Sequence, residues 1–385
     1  MKMKSRRGRG EWNGGRAPQL FVVAGTRPEA IKLAPVVRAL DERRDVATLV
    51  VNSGQHLAAV RATFAEFGLR CDVELAELPA LPNLAAACDH LQVELCAVLA
   101  RFRPDLVLVQ GDTLTTYAAA RAAAGGGLRV AHIEAGLRTD SVANPFPEEW
   151  FRRQIAGLAS VHFAPSPLAA KNLRDEGVAR EAIHVVGNTG IDSLRELVAT
   201  MGSGVTAASP PRRGVLVTLH RRENYDANAD AVCRALGGIA LARPEHRIVF
   251  PVHPNPRVAR RIRRRLEGHP GIDLVAPMPY RDFIRAAASA ALIVSDSGGI
   301  QEEAPHLGTP LIVPRRNTER PEALLTGFVR LVSTDERTIV DTALAVLGEP
   351  RREALPFDER APYGAGRSAP LIVATCLSLL TRVAV

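Results

Sequence analysis

The sequence predicts an α/β protein built from two doubly wound, Rossmann-like domains facing a cleft, and three features carry that expectation. Short β-rich apolar runs alternate with helical patterns along the chain. The alternation restarts after Gly187. The distinctive polar residues collect where strands end, which is where open α/β sheets bind their ligands. At 385 residues the chain also exceeds what one hydrophobic core usually serves.

Residues 1–17 form a Gly-rich basic tail that lacks the apolar stretch of a secretory signal and reads as disordered and solvated. Lys2, Lys4, Arg6, Arg7, Arg9 and Arg16 are opposed there by Glu11 alone, so most of the net charge of +8 is local to the tail. That placement argues against a nucleic-acid partner for the body. Leu20–Val23 is the first strand and runs into Ala24-Gly25. Thr26 then caps a helix with Pro28 near its first position, followed by Leu33, Val36, Val37 and Leu40 at helical spacing. Pro35 inside that pattern predicts a kink. Ala47–Val51, Leu106–Val109, Val130–Ile133 and Val161–Ala164 are further strands, with helices such as Tyr117–Ala124 and Pro167–Glu176 between them. Such a βαβ series forms a parallel sheet covered on both faces.

The domain boundary is expected near Gly187–Asp192, giving an N-terminal domain over 18–188 and a second over 189–365. Residues 366–385 form a helix expected to pack back on the first domain. Gly214–Leu219, Arg247–Val252, Leu274–Ala276, Leu292–Val294 and Leu311–Val313 are the strands of the second series, and Ser209-Pro210-Pro211 reads as a loop within it. Six arginines between Arg257 and Arg265 sit at helical spacing beside Val258 and Ile262 and read as a solvated helix face. Only Lys2, Lys4, Lys32 and Lys171 are lysines among 49 basic residues, so the arginine excess is largely compositional.

Composition excludes several classes. Aromatic residues make up 4% of the chain, too few for a protein of exposed stacking platforms. No apolar run approaches the roughly 18–20 residues that span a bilayer; Ala286–Val294 and Pro370–Leu380 fall short or carry polar interruptions. Cys71, Cys88, Cys96, Cys233 and Cys376 form no Cys-x-x-Cys pair, which reads as reduced thiols in a cytoplasmic protein.

Five strand ends carry the chemistry: Gly25-Thr26-Arg27-Pro28-Glu29, Gln110-Gly111-Asp112-Thr113, Glu134-Ala135-Gly136, His220-Arg221-Arg222-Glu223-Asn224 and Ser295-Asp296-Ser297-Gly298-Gly299. The last is a Gly turn opening a helix, where backbone N–H groups and the helix dipole suit an anion. With Arg27, Lys32, Arg152 and Arg320 as counter-charges, a diphosphate is the favoured ligand. Neither G-x-G-x-x-G nor G-x-x-x-x-G-K-[ST] occurs. Asp112, Glu134 and Glu148 are three acids on adjacent loops, and clustered acids can have their pKa values driven apart to supply both an acid and a base. Asp112 also suits a helix cap, and Glu148 a helix's first turn. His220 at a strand mouth suits acid/base work or a phosphate contact. No zinc spacing and no G-x-S-x-G elbow is present, so no metal site is expected.

Taken in order, Gly25-Thr26-Arg27-Pro28-Glu29-Ala30-Ile31-Lys32, Gln110-Gly111-Asp112-Thr113, His132-Ile133-Glu134-Ala135-Gly136-Leu137-Arg138-Thr139, Pro147-Glu148-Glu149, Val186-Gly187-Asn188-Thr189, His220-Arg221-Arg222-Glu223-Asn224, Asp296-Ser297-Gly298-Gly299-Ile300-Gln301-Glu302-Glu303-Ala304-Pro305 and Thr318-Glu319-Arg320-Pro321-Glu322 resemble the non-hydrolysing UDP-N-acetylglucosamine 2-epimerases. The resemblance implies a glycosyltransferase-B-type fold and a homodimer that interconverts UDP-GlcNAc and UDP-ManNAc without a cofactor. It matches Asp112, Glu134, Glu148 and His220 to catalytic positions, and Arg27, Lys32 and Arg152 to phosphate or sugar contacts. It makes the second domain the nucleotide-binding one. There Phe283 packs on uracil, the Met278 main chain bonds the base, Ser297, Gly298 and Gly299 hold the diphosphate, Glu303 takes the ribose hydroxyls, and Arg320 contacts the nucleotide.

The C2 hydrogen of a 2-acetamido sugar is not acidic, so acids become useful once UDP has begun to leave C1. Three departures from the family pattern stand out. Trp150 and Phe151 replace a small residue and Asn before Arg152, and Ala365 stands where Asp is preferred. Leu57 and Ala58 follow Gln55-His56, and Leu81-Pro82-Asn83-Leu84 replaces a more polar stretch. Both weigh against the substrate activation common in bacterial members. A UDP-sugar glycosyltransferase, a hydrolysing 2-epimerase and a catalytically impaired UDP-sugar sensor are the competing readings.

Overall fold

The computed structural model describes residues 2–3, 17–201, 213–219, 227–253 and 255–381. The chain divides into two compact units, Met1–Ser193 with Asp358–Val385, and Leu194–Phe357. Each is an α/β unit around a parallel sheet.

In the first unit the order is β1 Lys2–Met3, β2 Gln19–Ala24, α1 Arg27–Asp41, β3 Ala47–Asn52, α2 Leu57–Glu66, β4 Val73–Glu74 and α3 Leu84–Phe102. It continues with β5 Leu106–Gln110, α4 Leu114–Gly125, β6 Arg129–Ile133, α5 Glu148–Leu158, β7 Val161–Ala164, α6 Pro167–Asp175, β8 Ile183–Val185 and the start of α7 Thr189–Met201. The sheet runs β1-β4-β3-β2-β5-β6-β7-β8, antiparallel only between β1 and β4. Strand order therefore reverses between β2 and β5, the place where doubly wound sheets hold their ligands. Period-two alternation builds two cores from one strand: Leu20 and Val22 pack with Leu33, Val36, Val37 and Leu40 of α1, while Phe21 and Val23 pack with Leu91 and Leu95 of α3. The last helix of the chain, α14 Ser368–Thr381, adds Ile372, Val373 and Cys376 to the α1 side.

The second unit comprises β9 Val215–Thr218, α8 Ala227–Ala242, β10 Ile248–Pro251, α9 Pro256–Leu266, β11 Ile272–Val275, α10 Tyr280–Ser289 and β12 Leu292–Ser295. After these come α11 Gly298–Leu307, β13 Leu311–Pro314, α12 Pro321–Leu324, β14 Val329–Val332 and α13 Glu336–Leu347. Its all-parallel sheet has the order β11-β10-β9-β12-β13-β14, with the reversal between β9 and β12. This is the Rossmann order.

Several sequence expectations change. Pro35, where the sequence predicts a kink, lies inside α1. Proline removes the N–H that would bond the Ile31 carbonyl, and the Ser193 hydroxyl donates to that carbonyl instead at 2.6 Å. The helix placed at Tyr117–Ala124 begins at Leu114, and Thr113, not Asp112, is its N-cap, in a reciprocal capping box with Thr116. The strand placed at Leu274–Ala276 starts at Ile272, in register with Ile248. Strands β4, β8 and β14 were too short or too polar to read; Arg330 interrupts the last. In α9, Val258, Ile262 and Leu266 are buried and Arg261 and Arg265 reach Asp230, which fits a solvated basic face. Lys2–Met3 pair with Val73–Glu74, while the rest of the basic tail up to residue 16 and the loop at Ser209-Pro210-Pro211 lie outside the described residues. Among the described residues no helix is long and apolar enough to cross a membrane.

Candidate active site

In the first unit, the loops that follow β2, β5 and β6 meet at the reversal point. Gly25, at the end of β2, is held so close to its neighbours that a Cβ there would lie 1.8 Å from Thr115 Oγ1 and 2.5 Å from Ser53 Oγ, so only glycine fits. Arg27 and Lys32 then project from the first turns of α1. Gln55 Oε1 accepts from both the N–H and the hydroxyl of Thr115 (3.0 and 2.7 Å), tying the loop after β3 to α4.

Asp112 is relieved of helix capping by Thr113 and pairs with Arg152 instead, accepting from Nη2 at 2.6 Å and Nε at 2.8 Å. Arg152 is 3% exposed and is shared with Glu149, an acid buried in the second position of α5 that also accepts from Arg153 and the Thr139 N–H. Glu148, the first residue of α5, is half-buried beside it. Trp150 and Phe151 pack on Tyr117 with ring centroids 5.1 Å away, so the aromatic pair before Arg152 serves the core.

Glu134 ends β6 with φ +67, a strained backbone for a residue with a side chain. Lys32 Nζ donates to its Oε2, as do Gln110 Nε2 at 2.8 Å and Asn188 Nδ2 at 3.1 Å. Asn188 is held in turn by the Tyr363 carbonyl, which accepts its N–H at 2.8 Å. Two carboxylates thus stand at neighbouring strand ends, each paired with a different cation. Behind them His132 on β6 and His162 on β7 face each other in register, and burial pushes both imidazoles down to about 4. His132 Nε2 bonds the Gly111 carbonyl at 2.7 Å, next to Asp112.

In the second unit, Thr218 at the end of β9 and Ser295 at the end of β12 share a 2.6 Å hydrogen bond across the reversal point. Ser297 N–H donates to Ser295 Oγ, and Ser297 is the N-cap of α11 without a side-chain capping bond, leaving its hydroxyl free of that task. Gly298 and Gly299 are its first two residues, and a Cβ on Gly299 would meet nothing within 4 Å. Arg320 is 3% exposed and committed to Glu302 and Glu319, and Glu319 also accepts from the buried Arg315. Its guanidinium lies where a Gly298 Cβ would be, at 2.4 Å from Nη1, so Arg320 shapes the turn from behind. Glu303 is buried and accepts the Tyr280 hydroxyl at 2.7 Å. Met278 lies in the segment before α10 and Phe283 in its first turns, both half-buried. His220, with Arg221–Asn224, lies outside the described residues.

Glu29, Gln110, Glu149, Asn188, Arg315, Glu302 and Glu319 support these sites and were not singled out by sequence. All but Arg315 sit inside a quoted motif, but a supporting carboxylate or amide leaves the same local pattern as a cap or a solvated face. Among the described residues no cluster of His, Cys, Asp and Glu could hold a metal ion.

A family model described as UDP-N-acetylglucosamine 2-epimerase matches residues 38–377. The UDP-N-acetylglucosamine 2-epimerase of Escherichia coli (strain K12) is 37% identical over 92% of this chain and 97% of its own length, and that of Campylobacter jejuni is 36% identical over 92% and 96%. The crystal structure of the Neisseria meningitidis UDP-GlcNAc 2-epimerase bound to UDP-GlcNAc superimposes with a TM-score of 0.87 at 34% identity, over 94% of this chain and all of that one. A Methanocaldococcus jannaschii UDP-GlcNAc 2-epimerase in complex with UDP-GlcNAc and UDP gives 0.82 at 31% identity, over 94% and 99%. With these likenesses and the strand-end chemistry of both units, the chain belongs to the UDP-N-acetylglucosamine 2-epimerase family, a family of isomerases.

Proposed function

We propose that the chain interconverts UDP-GlcNAc and UDP-ManNAc by epimerisation at C2 without a cofactor. The nucleotide is assigned to the second unit: uracil to Phe283 and the Met278 main chain, the ribose to Glu303, and the diphosphate to Ser297, Gly298 and Gly299. The N-terminal turn of α11 suits that anion, and Arg320 supports it through Gly298. The sugar is assigned to the first unit, with Arg27, Lys32 and Arg152 as the cations around it.

The reaction proceeds in two halves. The C1–O bond breaks and its electron pair leaves on the diphosphate; positive charge at C1 makes the C2 hydrogen removable, and a carboxylate takes that proton. The product is 2-acetamidoglucal with UDP still bound. A second acid then protonates C2 on the opposite face while the diphosphate oxygen re-forms its bond to C1. This requires two separate acid/base groups and strong stabilisation of the leaving diphosphate. The observation that best supports it is the pair Asp112–Arg152 and Glu134–Lys32 at neighbouring strand ends of one unit. Each carboxylate is in contact with a different basic side chain. Glu148 and His220 complete the assigned set. The resemblance adds a homodimer, and the absence of a Cys-x-x-Cys pair in the sequence adds the cytoplasm.

The test is purified protein with UDP-GlcNAc and no added cofactor, followed by proton NMR. Appearance of UDP-ManNAc supports the proposal. Free ManNAc with UDP would establish the hydrolysing reaction instead. An unchanged substrate that nevertheless binds would leave only a sensor.

A further inference from the structure

We propose that Glu29 is a positioning residue of the first unit, locking the loop that carries Arg27 to the loop that carries Asp112; the assignment rests on the epimerase reading above. The two loops follow β2 and β5, strands that are neighbours in the sheet although most of a βαβ series separates them in sequence. Glu29, in the first turn of α1, is 1% exposed. Its Oε2 accepts the Gly25 N–H at 3.2 Å, and its Oε1 accepts the hydroxyls of Thr113 at 2.9 Å and Thr116 at 3.1 Å. Gly25 stands two residues before Arg27, and Thr113 directly follows Asp112.

A carboxyl that only capped α1 would need the Gly25 end of this network alone. Reaching the N-cap hydroxyl of the neighbouring helix α4 does more, because it fixes Thr113 and so the chain direction at Asp112. Burying a carboxyl among hydroxyls and an amide is costly compared with an apolar side chain of like volume. The directional bonds it makes here join both halves of the switch point, which an apolar residue would leave unjoined. Burial pushes the Glu29 carboxyl up to about 7, so a neutral amide resembles the form it takes at and below neutral pH.

The test compares Glu29→Ala and Glu29→Gln in steady-state epimerisation of UDP-GlcNAc, with rates counted per UDP-binding site measured by calorimetry. Glu29→Ala is expected to lower kcat between about ten- and a hundred-fold, the scale of a reacting group displaced by about 1 Å, with KM and UDP affinity changed less than about three-fold. Glu29→Gln can accept from Gly25 and donate to the threonine hydroxyls, and is expected to restore most of kcat. Thr116→Val, which removes one hydroxyl and with it the return half of the capping box but keeps the Thr113 hydroxyl on the Thr116 N–H, should show a smaller fall in kcat in the same sense, and decides the matter if Glu29→Ala does not fold. Unchanged kcat per site in Glu29→Ala, or in Thr116→Val when that variant must decide, overturns the assignment, as does equal loss in Glu29→Ala and Glu29→Gln. A wild-type protein that does not interconvert the two UDP-sugars overturns the underlying reading instead.

Discussion

Asp112 and Glu134 are distinguished by what holds them. Arg152 grips Asp112 through two nitrogens, whereas Glu134 sits on a strained turn with one lysine and two amides around it. Asp112→Asn and Glu134→Gln keep shape and remove the exchangeable carboxylate. Each is expected to lose turnover by about 10²–10⁴-fold, the usual share of a general acid or base, with UDP affinity nearly intact by calorimetry. Arg27→Ala is expected to do the reverse and chiefly weaken nucleotide binding. Glu29 adds a pH signature. Its folded pKa of about 7 lies above the ordinary carboxyl value of about 4.5. Its contribution to stability is therefore complete below pH ~4.5 and is lost as pH rises through about 7. Glu29→Gln should accordingly gain thermal stability relative to wild type between pH 5.5 and 8.5, by about 2 kcal/mol. A constant difference in Tm across that range would contradict the burial argument.

At the scale of elements, the start of α11 and the β6–β7 pair make separate demands. Gly298→Ala puts a methyl group 2.4 Å from Arg320 Nη1 and disturbs a buried ion network, so it should cost about 1–3 kcal/mol of stability as well as substrate affinity. Gly299→Ala meets nothing within 4 Å and should cost affinity alone, because its methyl group would stand where the proposed function puts the diphosphate. Equal stability of the two variants in urea titration would show that Arg320 does not brace the turn. His132 and His162 face each other with pKa values near 4, below their unfolded value, and neither Nδ1 has a partner among the described residues. Unfolded histidines take up protons first as pH falls, so stability should drop between about pH 6.5 and 4. His162→Gln should flatten that drop when unfolding midpoints are measured at pH 5 and 7.

The same scale shows what sequence could carry. Continuous apolar runs such as Leu106–Val109 declared their strands because a parallel sheet covered on both faces needs them. Val329–Val332 did not, since Arg330 breaks the run and the pairing with β13 supplies the order. The N-cap of α4 was misplaced by one residue because Asp and Thr are both good caps, and the capping box with Thr116 decides between them only in three dimensions. Asp112, Glu134 and the Gly298-Gly299 turn were legible because strand ends in a βαβ series are known in advance to carry ligands. Glu29 was not, because an acid in the first turn of a helix has an ordinary dipole explanation, and its bonds to Thr113 and Thr116 come from distant sequence.

On the scale of the whole molecule, two units with reversal points β2/β5 and β9/β12 each bring polar residues to adjacent strand ends. Both reversal points are stitched by side chains, Glu29 to Thr113 in one and Thr218 to Ser295 in the other. The proposed epimerisation requires that hydrogen leave and return to the sugar's C2 while the bond from C1 to the diphosphate is open. The most direct measurement is NMR of UDP-GlcNAc incubated with the protein in deuterated water. Deuterium is expected at C2 of the UDP-ManNAc that forms, with gradual appearance in recovered UDP-GlcNAc. UDP-ManNAc formed with its C2 hydrogen fully retained would contradict it.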